Sequence, residues 1–413
     1  MRIGIAGPIS TDDIADLLTG GVHGLPQGYY GAPLLGTLIR RLLAEGHDVY
    51  AYTTSADIAR PVRVAGEGLR VTYCPVRRHA LWPEGWRPGR ILDLFCLERR
   101  CLEQAMRRDG PDVVHAHWTY EFAWAALDSG LPCVVTAHDS PRQVLKYNPS
   151  LYRLGRYVMA RRVLGRSTLL TTVSPYMVSQ LAGLAKAPIA VIPNPLDDAI
   201  CRQVGVDGPT LPEDGHWRIA MSLNGWGSRK NPQPALRAFA QLRQAFPRAE
   251  LHLFGSDYGP GELAQTWCRQ TGLTEGVIFH GRQSHAVLME QLRVMHVLLH
   301  PALEESFGMV LAEAMALGVV AVGGHQSGAV PWVLDEGRSG VLVDVTSSSA
   351  IHEALSGLLA DPRRHAQLSG IGRRRVADNF SVSAVVKGYA DMYRQAVERA
   401  MTADGPGGVP NAA

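Results

Sequence analysis

The fold is decided by residues 300–318, which read HPALEESFGMVLAEAMALG. The short apolar run 297–299 comes directly before them and predicts a buried strand. Apolar side chains then recur at helical spacing up to Gly318, a residue typical of the position just after a helix. The stretch therefore predicts a strand, a loop at 305–308 and a helix.

The predicted helix start is a good place for an anion, because its first N–H groups are unpaired and its dipole is positive there. Two carboxylates bracket it: Glu305 lies in the loop and Glu313 one to two turns inside the helix. This arrangement suits a nucleotide sugar, with the pyrophosphate on the helix start and one carboxylate each for sugar and ribose hydroxyls. The alternative is an ordinary junction with two solvated glutamates, and the spacing alone does not separate the two.

Composition indicates an ordinary globular chain. Its 413 residues suffice for two domains, and the net charge of +3 argues against a nucleic-acid binder. The six cysteines show no C-x-x-C pair and no zinc-like spacing with histidine. No apolar run has the length of a signal peptide or a membrane span. We therefore expect a cytoplasmic protein.

Strands alternate with helices along the whole chain, which predicts an α/β protein with parallel sheets. A segment rich in Pro, Gly and Asp, 195–216, is predicted to be a linker, and the pattern restarts at Trp217. Two Rossmann-like domains follow, and we expect the strand ends of both to face a shared cleft. A last helix from about Val382 to Met401 carries an apolar stripe that predicts packing on the first domain.

These patterns divide the chain into four parts. We predict a first domain at 1–200, a second domain at 201–380, a C-terminal helix at 381–401 and a disordered tail at 402–413.

Two candidate sites lie at strand ends of the first domain. The loop 24–31 is rich in glycine, which lets the backbone approach a ligand closely, although a flexible surface loop has the same composition. His138 directly follows a predicted strand, and it is suited to hydrogen-bond a sugar hydroxyl or to stabilise charge. Most single histidines are structural or solvated, and His115 and His117 are weaker candidates still.

Two further candidates lie at strand ends of the second domain. In the turn 223–231, Arg229 and Lys230 precede a helix and would neutralise a departing diphosphate. The alternative is a basic turn that faces solvent. Gly255 ends another strand and is weak evidence alone. Asp12 and Asp13 have no partner carboxylates at metal spacing, so no metal is predicted.

The segment from Ser140 to Leu196 contains no Asp or Glu, although eight Lys and Arg lie within it. Aromatic, apolar and basic residues interleave at 152–159, as in surfaces that meet anionic lipid. The favoured interpretation is a helix whose apolar side faces the core and whose arginines are solvated. Peripheral membrane association is the alternative.

Taken together and in this order, the stretches resemble the retaining nucleotide-sugar glycosyltransferases of family four, which have the GT-B fold. The strongest match is the E-x(7)-E pattern formed by Glu305 and Glu313. The supporting matches are Gly46-His47-Asp48-Val49, Asp112 to His117, Thr136-Ala137-His138, Val173-Ser174 and Val191-Ile192-Pro193-Asn194. The resemblance extends over nearly the whole chain, roughly from Met1 to Val397.

The resemblance implies that the second domain binds a nucleoside diphosphate sugar and the first domain an acceptor. Glu313 would hold the ribose, Lys230 the pyrophosphate, and Glu305 and His138 would lie near the donor sugar. The loop residues assigned to the donor are Ser306, Phe307, Gly308 and Met309, with Asn224 and Gly255, and those assigned to the acceptor are Gly28, Tyr30 and Gly31. The family's usual arginine six residues before the lysine is Asn224 here, and Arg229 is a candidate replacement.

The implied reaction is transfer with retention, without cofactor or metal. The leaving diphosphate would take the proton of the acceptor hydroxyl. The acceptor class stays open between a glycan, a lipid-linked sugar and a small molecule, as do the donor sugar and the oligomeric state. The alternative function is a non-catalytic sugar-nucleotide or glycan-binding protein, which would need a damaged donor site. Asn224 points in that direction, whereas Glu305, Glu313 and Lys230 do not.

Overall fold

The structure is a computed structural model that describes residues 1–29, 31–83, 88–201 and 208–403. The chain leaves a first compact unit between Pro195 and Leu196, forms a second unit, and returns to the first between Ser381 and Val382. Tyr30, among the residues assigned to an acceptor, and positions 404–413 of the predicted tail lie outside the described residues.

The first unit contains one sheet of eight strands among the residues described. The strands are β1 Arg2–Ala6, β2 Asp48–Ser55, β3 Val62–Gly66, β4 Leu69–Pro75, β5 Val113–His117, β6 Cys133–Ala137, β7 Leu170–Thr172 and β8 Ile189–Val191. Their order is β3-β4-β2-β1-β5-β6-β7-β8, and every neighbouring pair is parallel except β3 with β4. Strand β3 is an edge strand that the sequence pattern does not predict, because none of its residues is fully buried.

Helices flank this sheet. They are α1 Pro33–Ala44, α2 Cys96–Asp109, α3 Glu121–Ser129, α4 Pro141–Tyr147, α5 Leu151–Arg166 and α6 Pro175–Leu181, and a 3-10 helix spans Asp12–Leu17. The sequence pattern predicts a helix from Ile91 to Arg108, but α2 begins only at Cys96. Leu94 and Phe95 have φ of 53° and 61°, in the left-handed region that a right-handed helix excludes, so the helix begins after them.

The second unit contains a parallel sheet of six strands within the described ranges. They are β9 Arg218–Ser222, β10 Glu250–Phe254, β11 Val277–Gly281, β12 Val297–His300, β13 Val320–Gly324 and β14 Val341–Val343. The order β11-β10-β9-β12-β13-β14 reverses direction between β9 and β12. In such doubly wound sheets ligands bind beyond the carboxyl ends of the strands at this reversal.

The helices of the second unit cover its sheet. They are α7 Asp198–Cys201, α8 Pro232–Ala245, α9 Leu263–Thr271, α10 His285–Leu292, α11 Met309–Ala316, α12 Val330–Val333, α13 Ser348–Leu359 and α14 Pro362–Asn379, with a 3-10 helix at Asp335–Gly337. The short helix α7 lies in the segment predicted to be a linker. Ile200 and Cys201 of that helix are buried, which a plain linker would not require.

The last helix, α15, spans Val382–Ala403 and packs on α1, β5 and β6 of the first unit. Val386, Tyr389 and Tyr393 of its apolar stripe are buried in the core of that unit. The helix includes 402 and 403, which the sequence assigns to the tail. The first sheet therefore has one of its faces completed by a segment nearly two hundred residues away in the chain.

We expect Tyr389→Ala to destabilise the first unit by about 3 kcal/mol, because it removes a fully buried ring and leaves a cavity. Met401→Ala is a matched control on the same helix, since Met401 is exposed. Chemical unfolding followed by tryptophan fluorescence measures both variants. Equal midpoints for the two variants would contradict the packing of α15 described here.

Candidate functional site

The candidate site lies at the reversal point of the second sheet. Strand β9 ends at Ser222 and β12 ends at His300, and the two strands are neighbours. The loops that follow them, 223–231 and 301–308, therefore meet at one edge of the sheet. The candidate residues that sequence analysis placed in these loops, seventy-five positions apart, come into contact here.

Backbone contacts hold the two loops together. The Leu303 N–H donates to the carbonyl of Arg229 at 2.8 Å. The Asn231 amide donates to the carbonyls of Pro301 at 3.1 Å and Val345 at 2.9 Å. Asn231 itself adopts a left-handed conformation, with φ of 50°, which asparagine tolerates better than most residues. The site is thus built on a cross-linked set of strand ends.

Glu305 is surrounded by side-chain nitrogens. One of its oxygens lies 2.5 Å from Lys230 Nζ, 3.4 Å from His300 Nε2 and 3.9 Å from an Arg229 Nη. Burial by itself would raise the pKa of Glu305, but Lys230, His300 and Arg229 together outweigh burial and hold the pKa below its usual value. Glu305 is therefore a carboxylate throughout the physiological pH range.

Glu304, the preceding residue, has a different environment. Arg229 donates to its backbone carbonyl at 3.0 Å and reaches one carboxyl oxygen at 3.5 Å, while the other oxygen has no partner among the described residues. Burial raises the pKa of Glu304, and Arg229 opposes that rise only in part. Sequence analysis missed both Glu304 and His300, because neither stands out from its neighbours by spacing.

The start of α11 offers unpaired donors. Gly308 precedes the helix with φ of 89°, and a Cβ there would lie 2.8 Å from Leu311, so the turn requires glycine. The backbone N–H groups of Phe307, Gly308 and Met309 have no acceptor within the described protein. The Phe307 ring packs against Trp332 and Phe380, which anchors the loop from below. Ser306 belongs to the same loop.

Glu313 lies on α11, one turn beyond these N–H groups. Its side chain is largely buried, and His285 on α10 contacts one carboxylate oxygen at 2.8 Å. His285 is another residue that sequence analysis did not find, since it is 28 positions away and lies in no recognisable motif. The contact with His285 restrains the position of the Glu313 carboxylate.

Asn224 and Gly255 lie at the ends of the adjacent strands β9 and β10. The Ser256 N–H donates to the Asn224 side-chain oxygen at 3.4 Å. Gly255 has φ of 112°, and a Cβ there would come within 1.7 Å of the Leu223 carbonyl, so only glycine fits. Asn224 thus serves a loop contact, and the cations near Glu305 are Lys230 and Arg229.

In the first unit, His138 belongs to a buried group of histidines at the ends of β5 and β6. His117 Nδ1 lies 2.9 Å from His138 Nε2. His115 bonds to Tyr393 at 2.8 Å and to Thr136 at 2.7 Å. Sequence analysis ranked His115 and His117 low, because the contacts join separate strands and the C-terminal helix.

These three histidines are neutral at pH 7. Burial lowers the pKa of His115 and of His138 to about 3, and it lowers the pKa of His117 well below the ordinary value. By distance and angle, His117 Nε2 and His138 Nδ1 make no hydrogen bond in the described part of the chain, and the Asn194 side chain lies close to His138. A neutral imidazole with one open nitrogen suits a hydrogen bond to a hydroxyl better than it suits charge stabilisation.

The glycine-rich loop of the first unit is pinned to the sheet. Gly28 donates to Ser55 Oγ at 2.9 Å, and a Cβ on Gly28 would lie 2.3 Å from the Ile9 carbonyl. Gly31 has φ of 121°. Gly28 and Tyr29 line a cavity of about 310 Å³ within the first unit. This end of the loop therefore lies against the sheet.

Two kinds of feature, a metal-binding group and a membrane-spanning helix, are absent from the described ranges. No three His, Cys, Asp or Glu side chains there are grouped so as to hold a metal ion. None of the helices there is both long enough and apolar enough to pass through a lipid bilayer.

Comparison with known proteins matches both halves of the chain. Residues 34–200 match the family described as Glycosyltransferase Family 4, and residues 211–375 match Glycosyl transferases group 1. The chain is similar to N-acetyl-alpha-D-glucosaminyl L-malate synthase of Bacillus anthracis, with 23% identity over 88% of this chain and 93% of that one. It is also similar to D-inositol 3-phosphate glycosyltransferase of Stackebrandtia nassauensis, with 26% identity over 87% and 85%.

Solved structures show the same fold. Sucrose-phosphate synthase from Thermosynechococcus elongatus superposes with a TM-score of 0.73 at 18% identity, covering 97% of this chain and 100% of that one. The catalytic domain of starch synthase IV from Arabidopsis thaliana, bound to ADP and acarbose, gives 0.64 at 15% identity, covering 96% and 100%. The predicted α/β architecture of two Rossmann-like domains of the GT-B type is confirmed.

Because these histidines are buried, we predict that acid destabilises the first unit at pH values well above those at which carboxylates take up protons. An unfolded histidine takes up a proton near pH 6.5, whereas folded His115 does so only near pH 3. The unfolded state therefore binds more protons between these values, and stability falls as pH drops from 6.5 towards 3. At pH 5 each such histidine costs about 2 kcal/mol relative to pH 7.5.

Urea unfolding of wild type at pH 7.5 and pH 5.0 measures this loss. In His115→Asn we expect the loss of stability between pH 7.5 and pH 5.0 to be about 2 kcal/mol smaller, because one titrating group is removed. His23→Asn, at an exposed histidine of the same unit, should leave it unchanged. An identical pH dependence in His115→Asn and wild type would show that burial does not keep His115 neutral.

Proposed function

Because the chain belongs to the nucleotide-sugar-dependent glycosyltransferases of family four, we propose that its second unit binds the nucleoside diphosphate sugar at the edge formed by 223–231 and 301–313. The sugar is transferred to an acceptor hydroxyl with retention of anomeric configuration. The first unit binds the acceptor, and His138 hydrogen-bonds a hydroxyl of the donor sugar. The acceptor is a glycan, a lipid-linked sugar or a small molecule.

The observation that carries this proposal is the Lys230–Glu305 contact beside three N–H groups that have no acceptor among the described residues. A diphosphate on the N–H groups of Phe307, Gly308 and Met309 lies next to the Lys230 ammonium. Lys230 then pairs with phosphate, and the Glu305 carboxylate accepts hydrogen bonds from the donor sugar. Glu313, held by His285, accepts from the ribose.

In the proposed reaction, the bond from the anomeric carbon to the diphosphate oxygen breaks and a bond to the acceptor oxygen forms on the same face. The acceptor proton passes to the leaving diphosphate. Lys230 and Arg229 stabilise the negative charge that develops on the diphosphate, so the protein acts by positioning and by electrostatic stabilisation. Arg229 takes the place of a cation at Asn224. These cations and the helix N–H groups bind the phosphates without a metal.

The competing function is a protein that binds sugar nucleotides without catalysis. A screen of UDP-, GDP-, ADP- and dTDP-sugars, read by nucleotide release in the presence of EDTA, separates the two. Release with one donor supports a metal-independent enzyme. Tight donor binding without release, alone or with acceptors, supports the binding protein.

With the donor found in that screen, the two glutamates should have separable effects. Glu313→Ala should weaken nucleotide binding about tenfold or more, because it loses a charge-assisted hydrogen bond, and should change turnover less. Glu305→Ala should mainly lower turnover. Arg229→Ala should reduce both donor affinity and turnover.

Calorimetry gives the affinities and nucleotide release gives the rates. Glu353→Ala, at an exposed position on α13, is the matched control and should resemble wild type. Slight and equal effects of Glu305→Ala and Glu313→Ala would contradict the donor-site assignment and leave residues 300–318 as an ordinary strand, loop and helix. Intact donor affinity and turnover in Arg229→Ala would remove only the assignment of Arg229.

A second proposal concerns location. Helix α5 buries Met159 and Val163, but it leaves Leu151, Leu154 and Val158 between 45% and 59% exposed. These three form one stripe of the helix, and the segment around them has no acidic residue. Charge and apolar surface together favour docking on anionic lipid over a wholly solvated face.

Vesicle flotation tests this proposal. We expect the chain to float with anionic vesicles at low salt and not with zwitterionic ones, since the attraction is electrostatic. The double change Leu151→Ser and Leu154→Ser should reduce flotation severalfold without lowering donor turnover. Failure of wild type to float with anionic vesicles would contradict membrane association.

A further inference from the structure

Among the described residues, more cationic than anionic side chains line the cavity of about 310 Å³ in the first unit. Among the described residues that line it are three arginines and one glutamate: Arg77, Arg78, Arg90 and Glu121. This volume is at the small end of the range for ligand sites, so it admits a small molecule or the terminal residue of a larger one.

Arg77 and Glu121 already have ionic partners. Arg77 bonds to both carboxylate oxygens of Asp93 at 2.8 Å and to those of Glu98 at 2.9 Å and 2.6 Å. Glu121 is paired with Arg156 at 2.9 Å. These pairs fix the walls of the cavity, and Arg77 has no charge left over for a ligand.

Arg90 is held but not neutralised. One of its Nη atoms donates to the backbone carbonyls of Arg77 and Arg78, the latter at 2.6 Å, and its guanidinium lies 5.7 Å from the centre of the Phe95 ring. Carbonyls orient a guanidinium without cancelling its charge. No carboxylate of the described residues lies within ion-pair distance of Arg90, and its Nε and second Nη make no hydrogen bond there. A fixed guanidinium with free donors matches the geometry of a carboxylate or a phosphate.

The same cavity also offers groups for hydroxyls. Burial, followed by the nearby Glu121 carboxylate, raises the pKa of Tyr29, so its phenol keeps its proton and can donate. Glu121, which accepts a hydrogen bond from Arg156 at 2.9 Å, can also accept from a hydroxyl. Phe95 and Tyr152 supply apolar surface between these groups.

We infer that this cavity takes a small hydroxylated anion, whose carboxylate or phosphate monoester binds Arg90 and whose hydroxyls lie near Tyr29 and Glu121. That this anion is the acceptor rests on the proposed function. Anion binding by the cavity itself does not.

Two pairs of probes test the inference by calorimetry with nucleotide present: inositol 3-phosphate against inositol, and L-malate against its dimethyl ester. At least one anion should bind ten times more tightly than its neutral partner, and the pair that discriminates identifies phosphate or carboxylate. In Arg90→Gln the anion should bind roughly tenfold to a hundredfold more weakly, since a charge-assisted contact is lost. Arg90→Lys should restore part of that affinity.

Arg63→Gln is the control, because Arg63 is an exposed arginine on β3 outside the cavity lining. Equal binding of anions and neutral partners, or no binding by either anion, overturns the inference. So does full anion affinity in a folded Arg90→Gln. If Arg90→Gln fails to fold, the wild-type comparison and Arg90→Lys decide.

Donor turnover is measured separately and distinguishes the two proposals. Nucleotide release without any preference for anionic acceptors overturns this inference and leaves the proposed function standing. Anion binding that depends on Arg90, without release from any donor, supports the cavity assignment and counts against the proposed function.

Discussion

The ion pair between Lys230 and Glu305 is the contact on which the second unit's site depends. The contact forms because the order of the strands in the parallel sheet reverses between β9 and β12, so the loops after those strands lie at one edge. Asn231 and the bond from Leu303 to Arg229 then fix the two loops relative to each other.

Adjacent carboxylates show how finely local surroundings set charge. Glu305, among three cationic or polar nitrogens, stays ionised, whereas burial raises the pKa of Glu304 beside it. The helix start next to them contributes N–H groups that have no acceptor in the described ranges, and it carries no formal charge. The edge therefore combines the negative charge of Glu305, the positive charges of Lys230 and Arg229 and neutral N–H donors within a small region.

In the first unit, polar groups are buried in the core of the sheet. His115, His117 and His138 are kept neutral by burial and partly satisfied by one another, by Thr136 and by Tyr393 of the returning helix. The cavity wall instead carries ions: Arg77 and Glu121 are paired, and backbone carbonyls hold Arg90. The buried groups fix hydrogen-bonding direction and the cavity wall supplies net charge, so the two roles are physically separated.

The sequence by itself determined the class of fold and the principal candidates. Period and capping residues define the β12–α11 junction, and the spacing of Glu305 and Glu313 with Lys230 and His138 indicates the family, because these are local patterns. Only the tertiary structure decided which side chains meet. His285 on Glu313, His117 on His138 and Arg90 in its cavity depend on strand order and on segments distant in the chain, and no local period records such contacts. The left-handed residues that delay α2 and the edge strand β3 were likewise set by tertiary packing rather than by residue propensity.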